Sequence, residues 1–583
     1  MSYKGETPKL YIGHLLAIAL SNLSLTPHVD RIDITVPDSA FGDYSTNVAL
    51  VLAKRMKQNP KELADIITQQ VIDWDKEKKL EKVEEKAGFI NFTFATSYLL
   101  ENAHKILDQG DLYGCSVHGE GKTVIVEYFA NNVAKPPHVG HLRSAVIGDC
   151  LKRIIKSQGY KTISDTHIGD WGVQFGILIW AYKHLDGKNV LEAASENPID
   201  ALNQLYIEAN SQIESRPEIR EESKAEFVKL EKGDVENRIL WQKFVDVSLQ
   251  DFDSYRKALD ILPFDHNLGE SFYEDKMPAV LEELKSKDLV KTGETGELYV
   301  DLEDYNLGRC ILVKSDGGTT YHLRDFATYI YRRKEFNFYK NVYVVDNRQS
   351  HHFKQLFKAL ELAGYPVEKD TTHVDFGFMS LPEGAISTRK GTTIALKSVL
   401  EEANNRALNI IEEKNPELAN KEAIAELVAL AAIKYFDLSH NRKTEIVFTW
   451  DKALSFEGNT GPYLQYTHAR IHGILRKANI TYPLTANMAE PVLNLRHEEN
   501  SVLRKLCQFP DIIAQVSEDY LPNILCNYLF ELSQTFNAFY QEVPVMQETS
   551  DELKLFRLQL ITATAQVIKN GLYLLGIEAP EEM

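Results

Sequence analysis

A multidomain chain of the α/β plus all-α class is predicted by three observations. At 583 residues, 44% hydrophobic and 26% charged, it is too long for one ordinary core and has the balance of a globular protein, so three or four domains are expected. Val124-Ile-Val-Glu127, then a Pro136-Pro137 break, then an amphipathic run opening at His141 reads as strand, loop and helix start. Tyr160-Lys-Thr-Ile-Ser164 reads as the next strand, and strand, helix, strand begins a parallel sheet. From Ala423 onward helix follows helix, which predicts an all-α bundle.

Taken in order, residues 1–115 mix helical runs with strand-like Arg31–Val36 and Gly88–Phe94, a small α+β module. Pro37-Asp-Ser-Ala-Phe41-Gly-Asp-Tyr44-Ser-Thr-Asn47 is a turn-rich loop before a helix starting near Val48. Phe41 and Tyr44, if exposed, suit stacking on an unpaired base; as core aromatics they would simply pack, and the pattern favours neither reading. The glycine-rich polar stretch Asp108–Lys122 marks a boundary. Residues 116–395 form the predicted α/β domain, interrupted over about 182–307 by charged helix to which no chemistry is assigned, and resuming at Gly308. A helical connection follows over 396–455, and the bundle occupies 456–583. In the bundle Leu464, Ile471 and Leu475 are expected to face inward, leaving Tyr463, Tyr466, His468, Arg470, Arg476 and Lys477 for RNA.

In open parallel sheets, ligands bind beyond the carboxyl ends of the strands. There a helix start offers unpaired N–H groups and the positive end of the macrodipole, which stabilise anions. His138 and His141 add imidazole donors, and Gly140 leaves room for a nucleobase or ribose to lie on the backbone. Two histidines three apart also suit a metal, but no third ligand sits nearby at a familiar spacing, so phosphate is the preferred reading. Tyr321 and Asp325 are four apart and share a face if helical. With Glu127 at a strand end, Asp325 is suited to a cation pocket, best filled by guanidinium, whose planar fork binds carboxylates in pairs. Adjacent His351 and His352 point to packing or hydrogen bonding with their loop rather than to one metal ion.

Net charge is −19, which as a sum argues against nucleic-acid binding, although a basic face on an acidic protein can hold RNA. Five scattered cysteines without a Cys-x-x-Cys pair imply neither disulfides nor structural zinc. No apolar run approaches the ~20 residues that span a bilayer, and the polar N-terminus carries no targeting pattern, so a cytoplasmic protein with no membrane partner is expected.

Four stretches carry a resemblance in the expected order: the Glu127–Asp149 stretch with its His138-Val-Gly-His141, Thr166-His-Ile-Gly-Asp170-Trp-Gly-Val-Gln174, Tyr321-His-Leu-Arg324-Asp325, and Glu457-Gly-Asn-Thr-Gly-Pro-Tyr463-Leu-Gln-Tyr466. The first is similar to the His-Ile-Gly-His signature of class I aminoacyl-tRNA synthetases, and nearly the whole chain resembles the arginyl family. That resemblance implies a Rossmann-like catalytic domain, a helical anticodon-binding domain and an N-terminal domain contacting the tRNA elbow, in a monomer. It implies ATP with Mg²⁺, L-arginine and the tRNA for arginine as partners. Glu127, Asn132, His138, Tyr321, Asp325 and Gln349 fall on arginine-binding positions, and His138, Gly140, His141, Ser387, Arg389 and Lys390 on ATP-binding ones. Phe41, Tyr44, Tyr463, Tyr466 and Arg470 are the expected tRNA contacts. Gly384-Ala-Ile-Ser387-Thr-Arg389-Lys390 lies where the class carries Lys-Met-Ser-Lys-Ser, with Ala385 and Thr388 at the lysine positions. In this family Lys135 supplies the missing charge, so Lys135, His138, His141 and Lys390 are the expected catalytic set. Ala130-Asn131 stands where the family has Ser-Pro, which removes a hydroxyl and a rigid residue. A small-molecule adenylyltransferase or a non-catalytic RNA-binding relative are the alternatives.

Overall fold

The computed structural model describes residues 7–25, 32–194, 197–380, 395–480 and 495–583. Four parallel strands form the central sheet, in the order Thr371–Phe376, Lys340–Asp346, Thr123–Glu127, Lys161–Asp165. Val124, Ile125 and Val126 are fully buried, as expected for a strand covered on both faces. From Thr123–Glu127 the chain crosses over to Lys161–Asp165 on one side, and from Lys340–Asp346 to Thr371–Phe376 on the other. The strand order therefore reverses between Glu127 and Asp346, the place where open sheets of this kind bind ligands in a crevice beyond the carboxyl ends of their strands.

The first crossover helix, Val139–Ser157, starts two residues earlier than its apolar periodicity indicates, with His138 as its N-cap. The second half of the fold does not rejoin the sheet at Gly308. Arg309–Val313 pairs antiparallel with Leu298–Asp301, which pairs with Val290–Thr292, so these strands form a separate three-stranded sheet. The parallel sheet resumes only at Lys340. The segment read as charged helix holds helices as far as Ala258, a further helix Met277–Ser286, and then this small sheet.

The N-terminal module is an antiparallel sheet, Ile34–Thr35, Tyr44–Thr46, Phe89–Phe94, Leu80–Lys86, flanked by helices. Its apolar core is continuous with that of the C-terminal helices, from Tyr11 through Leu506 to Ile577. Polar bonds reinforce the junction: Tyr44 Oη donates to Asp511 Oδ2 at 2.7 Å, and Arg504 Nη1 to Asp43 Oδ1 at 2.8 Å. Tyr44 is 2% exposed. This corrects the expectation of a base-stacking Tyr44, because its ring packs edge-on against Phe94 and its hydroxyl is spent on Asp511.

A second set of buried ions ties the helix Lys421–Leu438, in the helical connection, to the sheet domain. Arg143, on the Val139–Ser157 helix, reaches Asp437 at 2.9 Å and the Gly377 carbonyl at 2.6 Å, with both side chains sealed from solvent. No described helix is long and apolar enough to cross a membrane, and all five cysteines are free thiols.

Candidate active site

The Pro136-Pro137-His138 sequence forbids helix before His138, and the two imidazoles then close the helix start on itself. His138 Nδ1 accepts the Gly140 N–H at 3.0 Å, while His141 Nδ1 accepts the His138 N–H at 3.1 Å. A nitrogen that accepts a backbone N–H carries no proton, so each neutral ring holds its proton on Nε2. The rings lie 3.9 Å apart, and the pair is fixed as two Nε2–H donors at the positive end of a helix. Those backbone N–H groups are thereby committed, so the rings rather than these amides are the donors left for an anion. Gly140 has a different role from the one expected. A Cβ there would lie 2.7 Å from the His138 ring, so the space it leaves is filled by that ring and not by a nucleotide.

Burial pushes the His141 pKa to about 3, and burial with Arg348 and Lys135 nearby pushes His138 below the usual imidazole range. Both rings are neutral donors at pH 7. The unfolded chain takes a proton at His141 near 6.5 and the folded chain only near 3, so this site's contribution to stability is full above 6.5 and is lost as pH falls towards 3. The expected outcome in long-range ¹⁵N NMR is that the His141 ring keeps one protonated and one bare nitrogen throughout the neutral range.

Lys135 is exposed, its ammonium 5.2 Å from the Tyr206 ring. Its loop is fastened from two sides. The Val133 N–H donates to the Gly169 carbonyl and the Gly169 N–H to the Asn131 carbonyl, while the Ala134 N–H donates to Ser248 Oγ at 2.9 Å. Ala134 is held at φ +61°, a left-handed conformation that an alanine adopts only when its surroundings impose it. The inserted helix Val235–Ala258 thus supports the Lys135 loop, although Asn131 stands where the family has proline. Asn132 is exposed at the rim of this loop. Ser387, Arg389 and Lys390 lie outside the described residues.

On the other side of the crevice, Tyr321 and Asp325 do share one face of the helix Tyr321–Phe336. Tyr321 is 60% exposed and Gln349 is exposed. Asp325 Oδ2 bonds His352 Nε2 at 2.5 Å, and Oδ1 faces His167 Nε2 at 3.8 Å. Glu127 Oε2 already faces a cation of the protein: Arg332 Nη2 lies 2.6 Å from it and 2.8 Å from Asp165 Oδ2, the arginine being 0% exposed. Glu270 is a further carboxylate near Asp325; its side chain pairs with Arg324 at 3.1 Å, and burial raises its carboxyl above the usual range. It comes from the segment to which no chemistry was assigned.

The family model for the catalytic domain of the class I tRNA synthetases of the arginine type matches residues 102–450, well over half of the chain. The chain belongs to the arginyl-tRNA synthetases. The family's N-terminal domain matches over 11–94, and the DALR anticodon-binding domain over 464–583. An arginine–tRNA ligase from Alkaliphilus metalliredigens is 40% identical over 99% of both chains. The arginyl-tRNA synthetase structures from Plasmodium falciparum (25% identity, all of both chains) and Thermus thermophilus (26%, covering 98% and 99%) each superpose with a TM-score of 0.83. The activity is the class I charging of tRNA with arginine.

In this arginyl-tRNA synthetase the tRNA positions divide. Phe41 is 36% exposed, with the Lys86 ammonium 4.3 Å from its ring centre. Tyr463, Tyr466 and Arg470 share one face of the helix Gly461–Lys477. Tyr466 projects into solvent, whereas Tyr463 Oη and Arg470 are held by Asn537, at 2.8 and 3.2 Å. His468 faces inward and bonds the Pro580 carbonyl, while Leu464, Ile471 and Leu475 are buried as expected. Beside the predicted residues the structure also places His167, Glu270, Arg332, Arg348 and the His352 ring, none of which the sequence reading singled out as a site residue. Arg332 had a signal, since it lies seven residues after Asp325 on the same helical face. Arg348, just past the strand end, forks Asp346 through Nε and Nη2 at 2.8 Å each.

Proposed function

We propose that the crevice between Glu127 and Asp346 is where arginine and Mg–ATP react. The phosphates lie against the Nε2–H groups of His138 and His141, with Lys135 and, from outside the described residues, Ser387, Arg389 and Lys390 supplying further donors and charge. The arginine carboxylate attacks the α-phosphate in line, pyrophosphate leaves, and the terminal ribose of the tRNA then takes the arginyl group from the adenylate. The reaction needs no side-chain nucleophile. Its barrier falls because preorganised donors meet charge that grows on the phosphoryl oxygens. The metal arrives with the nucleotide as substrate.

Asp325 accepts the arginine guanidinium, with Tyr321, Gln349 and Asn132 around the rim. Glu127 acts one step removed, by holding Arg332 beneath the pocket floor. A guanidinium site rejects neutral analogues because its half-buried carboxylates would be left unpaired. The tRNA is engaged by Phe41 and by the Tyr463, Tyr466 and Arg470 face, in a monomeric cytoplasmic enzyme divided at about residues 115, 395 and 455. The observation carrying this reading is the pair of imidazoles whose inner nitrogens are both occupied by backbone N–H groups, which leaves two donors aimed out of a helix start at a sheet's switch point. Incubation with ATP, labelled arginine and total tRNA is expected to give acid-precipitable arginyl-tRNA together with one pyrophosphate per turnover. Failure with arginine alongside success with another amino acid overturns the assignment of the pocket.

A further inference from the structure

From the hydrogen bond between His352 Nε2 and Asp325 Oδ2 and the ring cluster around it, we infer that His352 is a positioning residue for arginine recognition, turning the Asp325 carboxylate so that Oδ1 faces the incoming guanidinium. The inference rests on the reading that Asp325 binds arginine, and deepens it.

The geometry is specific. Asp325 Oδ2 is taken at 2.5 Å by His352, while Oδ1 lies 3.8 Å from His167 Nε2. A carboxylate on a short side chain can rotate, and a guanidinium fork needs its oxygens held in one plane. His352 is itself clamped: its ring lies 4.3 Å from His322, 5.4 Å from Phe353 and 5.0 Å from Tyr321. Its Nδ1 is buried with no partner among the described residues, which leaves Nε2 as the atom that acts on Asp325. The ring therefore supplies one oriented donor from a cluster of tilted and edge-on rings, next to the exposed Tyr321.

The groups facing Asp325 set how it responds to acid. They are His352 and His167, then His322, Glu270, Tyr343 and Cys310. Burial raises its carboxyl, but the bond and charge of His352, with His167 and His322, hold it below the usual range. Deleting His352 leaves burial acting with less opposition, so the acid limb of kcat/KM for arginine moves to higher pH.

The test compares His352→Gln with His352→Asn in steady-state ATP–pyrophosphate exchange. The glutamine amide nitrogen reaches the place of Nε2 and keeps the donor, whereas asparagine is too short. His352→Asn is expected to raise KM for arginine about tenfold or more, the effect of one hydrogen bond to a charged group. KM for ATP should stay unchanged, and the acid limb should shift upward. His352→Gln should stay within about threefold of the parent in KM. Asp325→Asn separates the two failures. If it leaves KM for arginine unchanged, the underlying reading of Asp325 is wrong. If it raises KM while His352→Asn does not, or if Gln and Asn behave alike, the positioning role is overturned. A common fall of kcat with both KM values unchanged in the two His352 variants also overturns it, as the mark of a structural role.

Discussion

Replacing His138 or His141 by asparagine is expected to lower the rate of arginine-dependent ATP–pyrophosphate exchange by about 10²–10³-fold each, the cost of one donor lost from a developing oxyanion. Asparagine is chosen because its Oδ1 reaches the place of Nδ1. The backbone N–H that each ring accepts keeps a partner, and the helix keeps its cap. What disappears is the Nε2–H. Alanine at the same positions loses both, so it should add a stability loss of about 1 kcal/mol, typical of a broken cap. The expected pattern is therefore a separation: Asn variants inactive at an unchanged thermal midpoint, Ala variants inactive and melting lower. If the Asn variants retain activity, the rings serve the helix end and not the phosphate.

Arg332→Met is expected to destabilise the sheet domain by about 3–5 kcal/mol, as happens when one member of a buried ion cluster is removed and its partners stay charged. Arg332 is fully enclosed and has two carboxylates within 2.8 Å, Glu127 and Asp165, at the ends of adjacent parallel strands. Methionine fills a similar volume but leaves both anions without a cation. Urea unfolding followed by a probe in the sheet domain checks the size of the loss, since a chain of several domains need not unfold in one step. The triple variant Arg332→Met, Glu127→Gln, Asp165→Asn should recover much of it, because the buried groups are then neutral. Recovery also distinguishes this account from simple loss of packing, which the two added amides do not repair. If Arg332→Met melts like the parent, the cluster carries no such weight.

The elements that periodicity describes were legible. Alternation and β-branching placed Phe89–Phe94, Thr123–Glu127 and Lys161–Asp165, and the Pro136-Pro137 break placed the helix start to within two residues. The inward face Leu464, Ile471, Leu475 followed from helical spacing alone. What was not legible depends on partners distant in sequence. Glu127 looked free because Arg332 lies far along the chain, and only the sheet brings its helix beneath that strand end. The pattern left Tyr44 open between a surface and a core aromatic, since nothing local announces Asp511 as its partner. Arg309–Val313 has strand composition, but composition does not say which sheet a strand joins, and its neighbour Leu298–Asp301 decided that. The imidazole tautomers were hidden for another reason: they are fixed by backbone N–H directions, which no residue pattern encodes. The family motifs pointed to His138, His141 and Asp325 before any of this was known. The geometry adds what those residues have left to offer once their protein partners are subtracted.

The most direct measurement is exchange of labelled pyrophosphate into ATP by the pure protein, run with each amino acid in turn, with and without total tRNA. The account predicts exchange with arginine and with no other amino acid, lowered about 10²–10³-fold in the His138→Asn variant while that variant still melts like the parent. Exchange driven by a different amino acid, or none under any condition in a protein that still binds tRNA, would contradict it.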